Sequence, residues 1–156
     1  MSEPTLRSTH LFTLTLQVDP TLVDVGETPY GRRRIATVTG GTFEGEELRG
    51  TVLPAPAGDW LLQRRDGILQ LDVRLTLKTD DGHLVYMSYR GMRHGPAWVI
   101  EKLNKGEKVD PSQYYFRATP WFETASEKYR FLNRIVCVST GRRDPTGPVY
   151  EVFQIL

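Results

Sequence analysis

The run LQLDVRLTLKT, residues 69–79, constrains this chain more than any other. Leu69, Leu71, Val73, Leu75 and Leu77 alternate with Gln70, Asp72, Arg74, Thr76 and Lys78. Side chains of a strand point to opposite faces with a period of two, so the run predicts a half-buried strand. TDDGHL (79–84) follows at once and carries Asp81-Gly82, a two-residue hairpin signal. A second strand must therefore fold back on the first.

The same grammar recurs along the chain. LFTLTLQV (11–18) sets Phe12, Leu14, Leu16 and Val18 against Thr13, Thr15 and Gln17, while RRDG (64–67) and DPTGPV (144–149) read as turns. HLVYMSYRG, TPWFET, RIVCVST and VYEVFQIL complete a series of short strands at hairpin-like spacing. Only SEKYRFLNR (126–134) reads as helical, with Ser126 as its cap. The segment 96–113 has two prolines and no sustained period, and reads as a long loop with room for one helical turn; such loops in compact domains bind ligands or cover sites. About nine or ten strands and one short helix predict an all-β, single-domain antiparallel β-barrel over residues 1–156, with residues 1–9 loosely ordered.

Composition agrees and excludes partners. Hydrophobic residues make up 39% and charged residues 25% of 156 positions, and the formal net charge is +1. That balance gives no electrostatic case for nucleic acid or an anionic membrane. One cysteine, Cys137, leaves no internal disulfide and fits a reducing compartment. The first residues lack the apolar run of a signal peptide, and no stretch approaches the ~20 apolar residues of a membrane helix. The expectation is a soluble, cytoplasmic protein.

The stretch GGTFEGEELRGTV (40–52) is rich enough in glycine to raise a phosphate loop. Its spacing fits no dinucleotide fingerprint, Thr51 stands where a phosphate-loop lysine belongs, and Glu44, Glu46 and Glu47 would repel phosphate. Glycines within strands mark bends or close backbone approach instead. Gly40 and Gly41 are expected to bend the barrel, Phe43 to pack, and Gly45 and Gly50 to frame a turn.

Read with its continuation GDWLLQRRDGILQLDVRLTLKTDDG, GMRHGP (91–96) and YYFRATPWFETASEKYRFLNR (114–134), the glycine stretch resembles the family of domain of unknown function 3237, also called uncharacterised protein family 0311. The likeness runs from about Leu11 to Phe153. It rests on GGTF-x-G, GDW, DG, D-x-R, DDG, YFR-x-x-P-x-FET and LNR in that order. The resemblance implies an antiparallel barrel, a homodimer in many members, and a small organic ligand.

Three groups could carry chemistry. Asp72 and Arg74 project side by side; facing the barrel interior they would be an acid–base and anchoring pair, and facing outward a solvated surface pair. Asp59-Trp60 could contact a ligand at a barrel mouth, or form a turn and cap the core. Tyr115, Phe116, Arg117 and Glu123 mix polar groups with aromatics as pocket walls do, although Glu123 could instead serve the following helix amides. Tyr89 and Arg90 are lesser candidates of the same kind. His10, His83 and His94 have no metal-ligand spacing, and neither a G-x-S-x-G elbow nor a cofactor motif is present.

The expected function is a small-molecule-binding barrel with cofactor-independent acid–base chemistry of isomerase, cyclase or lyase type. In it Asp72 or Glu123 moves the proton, Arg74 and Tyr115 steady negative charge, and Asp59, Trp60, Tyr89, Arg90, Phe116 and Arg117 contact the ligand. The alternative is a non-catalytic carrier. No metal or cofactor is expected.

Overall fold

A computed structural model describes residues 2–156 of the chain. Its strands are β1 (Ser8–Val18), β2 (Val23–Thr28), β3 (Gly31–Glu44), β4 (Arg49–Val52), β5 (Gly58–Gln63), β6 (Leu69–Thr79), β7 (Leu84–His94), β8 (Tyr115–Glu123), β9 (Cys137–Asp144) and β10 (Gly147–Ile155). One helix, α1 (Ala97–Asn104), follows β7. Neighbours pair antiparallel in the order β1-β10-β9-β8-β7-β6-β4-β3, and β1 pairs with β3 to close the barrel. β4 and β5 share one slot between β3 and β6: β4 pairs with Thr42–Glu44 and β5 with Arg32–Thr37. β2 lies outside the closed ring as a ribbon on β3.

The alternation of β6 is reproduced residue by residue. Leu69 to Thr79 are buried at every odd position, and the even positions face the outer wall. β7 and β8 behave likewise, burying Val85, Met87 and Tyr89, then Phe116, Ala118, Pro120 and Phe122. One continuous core results, and at the end where β1 begins and β3 ends Phe12 packs on Phe43 and Phe122 at centroid distances of 5.4 and 5.8 Å. Each such fully buried side chain contributes about 1.5–3 kcal/mol from apolar burial.

The glycine stretch serves closure. At Gly41 (φ 147°) a β-carbon would stand 2.2 Å from Thr15 O of the crossing strand β1, and at Gly50 it would stand 2.0 Å from Lys78 O. The strand can cross its neighbours there only without a side chain. Phe43 between them is 1% exposed.

Two expectations about helices are corrected. The α-helix lies inside the segment read as a loop: Val99 and Leu103, one turn apart, are its buried pair. Residues 126–134 form only a 3-10 turn at Arg130–Arg134. There Thr124 N–H donates to Asn133 Oδ1 (2.8 Å) and Asn133 Nδ2 donates to Thr124 O (3.0 Å), a cross-tie that draws the ends of the segment together. The N-terminal segment joins the sheet at Ser8, inside the stretch expected to be loose. Among the described residues no helix is long and apolar enough to cross a membrane.

Candidate functional site

At the other end of the barrel the core gives way to a cavity of about 350 Å³. Eight strands, all but β2 and β4, supply its wall, and Asp19, Pro20, Leu103, Asn104 and Pro145 lie at its margin. Phe116 and Tyr150 meet edge to face at 5.3 Å, and Tyr150 meets Tyr89 at 5.0 Å. These rings form the cavity's aromatic floor, and above them stand Arg34 of β3, Asp59 of β5, Arg93 of β7 and Arg143 of β9.

Asp59 is placed by a break in a ladder. β5 and β6 pair at Asp59–Val73 and again at Leu62–Gln70, with the register between them unpaired. In that gap Asp72 N–H donates to Asp59 Oδ1 at 3.0 Å, so a side chain takes the place of a strand carbonyl. Burial pushes the Asp59 carboxyl up to about 7, and the like charge of Asp72 adds to the shift. The Asp72 amide and the Arg93 guanidinium pull the other way. The balance leaves a carboxyl that is part protonated at neutral pH.

The neighbours are also displaced from ordinary behaviour. Burial and the adjacent Arg143 and Arg34 hold the Arg93 guanidinium below its usual range. Burial pushes the Tyr89 and Tyr150 phenols up, and the Asp59 carboxylate adds to both. Among the described residues four buried side-chain polar atoms have no hydrogen-bond partner: Arg34 Nε, Tyr89 Oη, Arg93 Nε and Ser139 Oγ. The first three belong to residues lining this cavity. A buried donor left unpaired costs about 1–3 kcal/mol, so native proteins keep few of them. Three of the four thus belong to residues around one cavity.

The strands sort the residues singled out from the sequence into two sets. Asp59, Tyr89 and Phe116 line the cavity. Asp72 and Glu123, the residues expected to move the proton, lie on the outer wall and not in this cavity. The odd-numbered leucines of β6 occupy its inward face, so Asp72 and Arg74 must face out. Asp72 stands 3.9 Å from Arg90, and Arg74 lies over the Trp60 ring at 5.5 Å. Glu123 is exposed at the end of β8.

Trp60, Asp72, Arg90, Tyr115 and Arg117 instead border a groove of about 700 Å³ on the outer wall. Tyr115 stacks on His94 at 4.9 Å, with the Arg117 guanidinium 5.3 Å from its ring. The groove is roomier than the cavity, yet Arg90 and Tyr115 are exposed and their polar atoms keep their water. The desolvated groups lie inside the barrel, and desolvation is what moves a titratable group from its ordinary value.

Comparison with known proteins agrees with this architecture. The family model for Protein of unknown function (DUF3237) matches residues 6–155. The chain belongs to the DUF3237 family. A UPF0311 protein of Rhodopseudomonas palustris is 37% identical over 153 residues, covering 98% of this chain and 99% of that protein. A β-barrel-like protein of Acinetobacter baumannii superposes with a TM-score of 0.85 at 35% identity, over 99% of each chain. An enzyme from Penicillium herquei shares the fold at a TM-score of 0.74 and 22% identity, over 100% of this chain and 99% of that one.

In this DUF3237 chain the cavity residues not anticipated from sequence are Arg34, Arg93, Arg143 and Tyr150. Strand parity carried the signal. In β7, Arg93 continues the inward series Val85, Met87, Tyr89; in β9, Arg143 continues Cys137, Ser139, Gly141; in β3, Arg34 continues Val38 and Ala36. A cation that keeps the apolar parity of its strand faces the interior. Cys137 offers nothing comparable: it is buried among apolar neighbours, and burial pushes its thiol up to about 11.

Proposed function

We propose that this protein is a cofactor-independent acid–base catalyst acting on a small organic molecule held inside the barrel. The observation that carries the reading is Asp59, a carboxyl facing a cavity between guanidiniums and phenols and titrating near neutrality. A group with a pKa close to the working pH serves as either base or acid without a large penalty in either direction. Asp59 Oδ1 is engaged by the Asp72 amide, which leaves Oδ2 to take a proton from a carbon or oxygen acid of the substrate. Arg93 and Tyr89 line the same cavity, and a guanidinium and a phenol there can steady negative charge that develops on a substrate oxygen. Return of the proton to another atom completes an isomerisation, a ring closure or an elimination. The fold of the Penicillium herquei enzyme adds only that such a barrel accommodates catalysis, an argument from architecture.

The test starts from the ligand. Native mass spectrometry of protein purified from its own host identifies what co-purifies, and turnover of that compound is then followed. Asp59→Asn is expected to keep affinity within a few-fold and to lower turnover by about 10²-fold or more. Equal turnover in the variant removes Asp59 from the chemistry. Tight binding without any turnover makes the protein a carrier.

A further inference from the structure

The charge pattern of the cavity says what kind of molecule it receives. Three guanidiniums, Arg34, Arg93 and Arg143, face two carboxylates, Asp19 and Asp59. Asp19 stands at the rim, and its Oδ1 is taken by Thr21 N–H at 2.9 Å. Asp59 Oδ1 is taken by the Asp72 amide. Neither carboxylate pairs with an arginine by the distances of an ion pair, and Arg34 Nε and Arg93 Nε are left without any partner. Buried guanidinium groups unmatched by carboxylates of the protein are costly, and a ligand anion removes the cost. The guanidinium fork fits a planar two-oxygen head better than a point charge.

Much of the rest of the lining is apolar, with Tyr89, Asn104, Thr146 and Tyr150 as its remaining polar members. Leu61, Leu71, Val73 and Phe116 supply that apolar surface. A volume of about 350 Å³ lies near the lower end for small-molecule sites, which span roughly 300–1,000 Å³. It admits a single ring or a short chain and excludes a nucleotide or a long acyl group. We infer that the ligand is a small organic carboxylate, its head on Arg93 between Arg34 and Arg143 and its apolar body against Phe116 and Leu71. The inference rests on the cavity being the ligand site named above, and not on proton transfer by Asp59.

Calorimetric titration of the intact protein with benzoate, phenylacetate and hexanoate, each beside its primary amide, tests the assignment. At least one acid is expected to saturate at one per chain and to bind tenfold or more tightly than its amide. Arg93→Gln should abolish most of that preference by weakening the acid at least tenfold more than the amide, and Arg93→Lys should restore part of it. Should Arg93→Gln fail to fold, Arg34→Gln and Arg143→Gln carry the same expectation. The assignment is overturned if amides bind as well as acids, if no acid binds at low millimolar concentration, or if Arg93→Gln weakens acid and amide alike. A ¹³C NMR titration of the Asp59 carboxyl separates the two readings. Acid selectivity with an ordinary Asp59 titration sinks the acid–base reading and leaves the carboxylate assignment standing; a neutral Asp59 midpoint without acid selectivity does the reverse.

Discussion

At one end of the barrel Phe12 packs its ring on Phe43 and Phe122; at the other, Arg34, Arg93 and Arg143 share a cavity with Asp59. The same strands build both ends, and the same parity decides which side chains point inward. β7 starts inward with Val85 and Met87 and finishes with Tyr89 and Arg93; β9 starts with Cys137 and finishes with Arg143. The fold is therefore secured at the filled end, and the hollow end is free to hold groups that a core could not tolerate. Each end has an aspartate displaced from ordinary behaviour, in opposite directions. Asp81, at the β6–β7 hairpin beside the filled end, is held well below the usual carboxylate range by Lys128 Nζ at 2.6 Å and by Thr79 and Tyr129, whose hydroxyl donates at 2.9 Å. Asp59 is pushed up to about 7.

The comparison breaks first on packing. Phe12 is fully buried and touches both other rings of the filled end. Phe12→Ala is expected to cost about 3–5 kcal/mol, read as a shift of the urea midpoint at unchanged m-value. A cost below about 1 kcal/mol would mean that this end is not where stability is concentrated.

Next comes the pH dependence of the hollow end. The folded carboxyl of Asp59 binds its proton more tightly than an unfolded aspartate of pKa ~3.9. Its ionisation therefore costs stability, and the loss sets in as pH rises above about 4 and is complete above about 7. Parent protein and Asp59→Asn unfolded in urea from pH 4 to pH 8 should diverge across that window by a few kcal/mol at most, with the parent losing ground as pH rises. A difference independent of pH would show that Asp59 titrates as an exposed carboxyl.

Asp81 should answer with the opposite sign and a smaller amplitude. Its folded carboxyl is depressed, so its contribution is present above the unfolded pKa and fades as pH falls through the acid range. Asp81 is solvent-facing, and its ion pair with Lys128 is screened by salt. Asp81→Asn should therefore lower the urea midpoint slightly at pH 7, less in high salt, and not at all at the acid end. A shift that persists in acid would assign the role of Asp81 to hairpin geometry instead of charge.

How much of this was legible before the structure differs between the ends. Period two fixed β6, β7 and their hairpin, because half-buried strands cannot hide their alternation. The same alternation bore on Asp72 and Arg74: with Leu69 through Leu77 on the inward face, no room remained inside for the pair. Asp59, Tyr89 and Phe116 could be named as candidates, although their shared cavity needs the registers of five strands. Arg34, Arg93 and Arg143 escaped notice because an arginine near a strand end reads as solvated, and only its parity with distant apolar residues says otherwise. α1 escaped because two helical turns with one buried pair, Val99 and Leu103, leave almost no period to detect.

The smallest expected effect is also the sharpest test of the difference between the ends. Tyr89 is 2% exposed, and its hydroxyl, whose phenol neighbour is Tyr150, makes no hydrogen bond of ordinary geometry. At the filled end, deletion of any buried atom leaves a hole. At the hollow end, Tyr89→Phe removes an oxygen held by no more than a weak contact with the Tyr150 phenol. The variant should match the parent or gain up to about 1 kcal/mol in urea unfolding. Ligand should reverse that order: with the cavity occupied, the parent would gain more in thermal midpoint than the variant, because only it can bond to the guest. A loss of 1 kcal/mol or more in the empty variant would show the hydroxyl to be satisfied within the fold, and the cavity's open donor would then be structural.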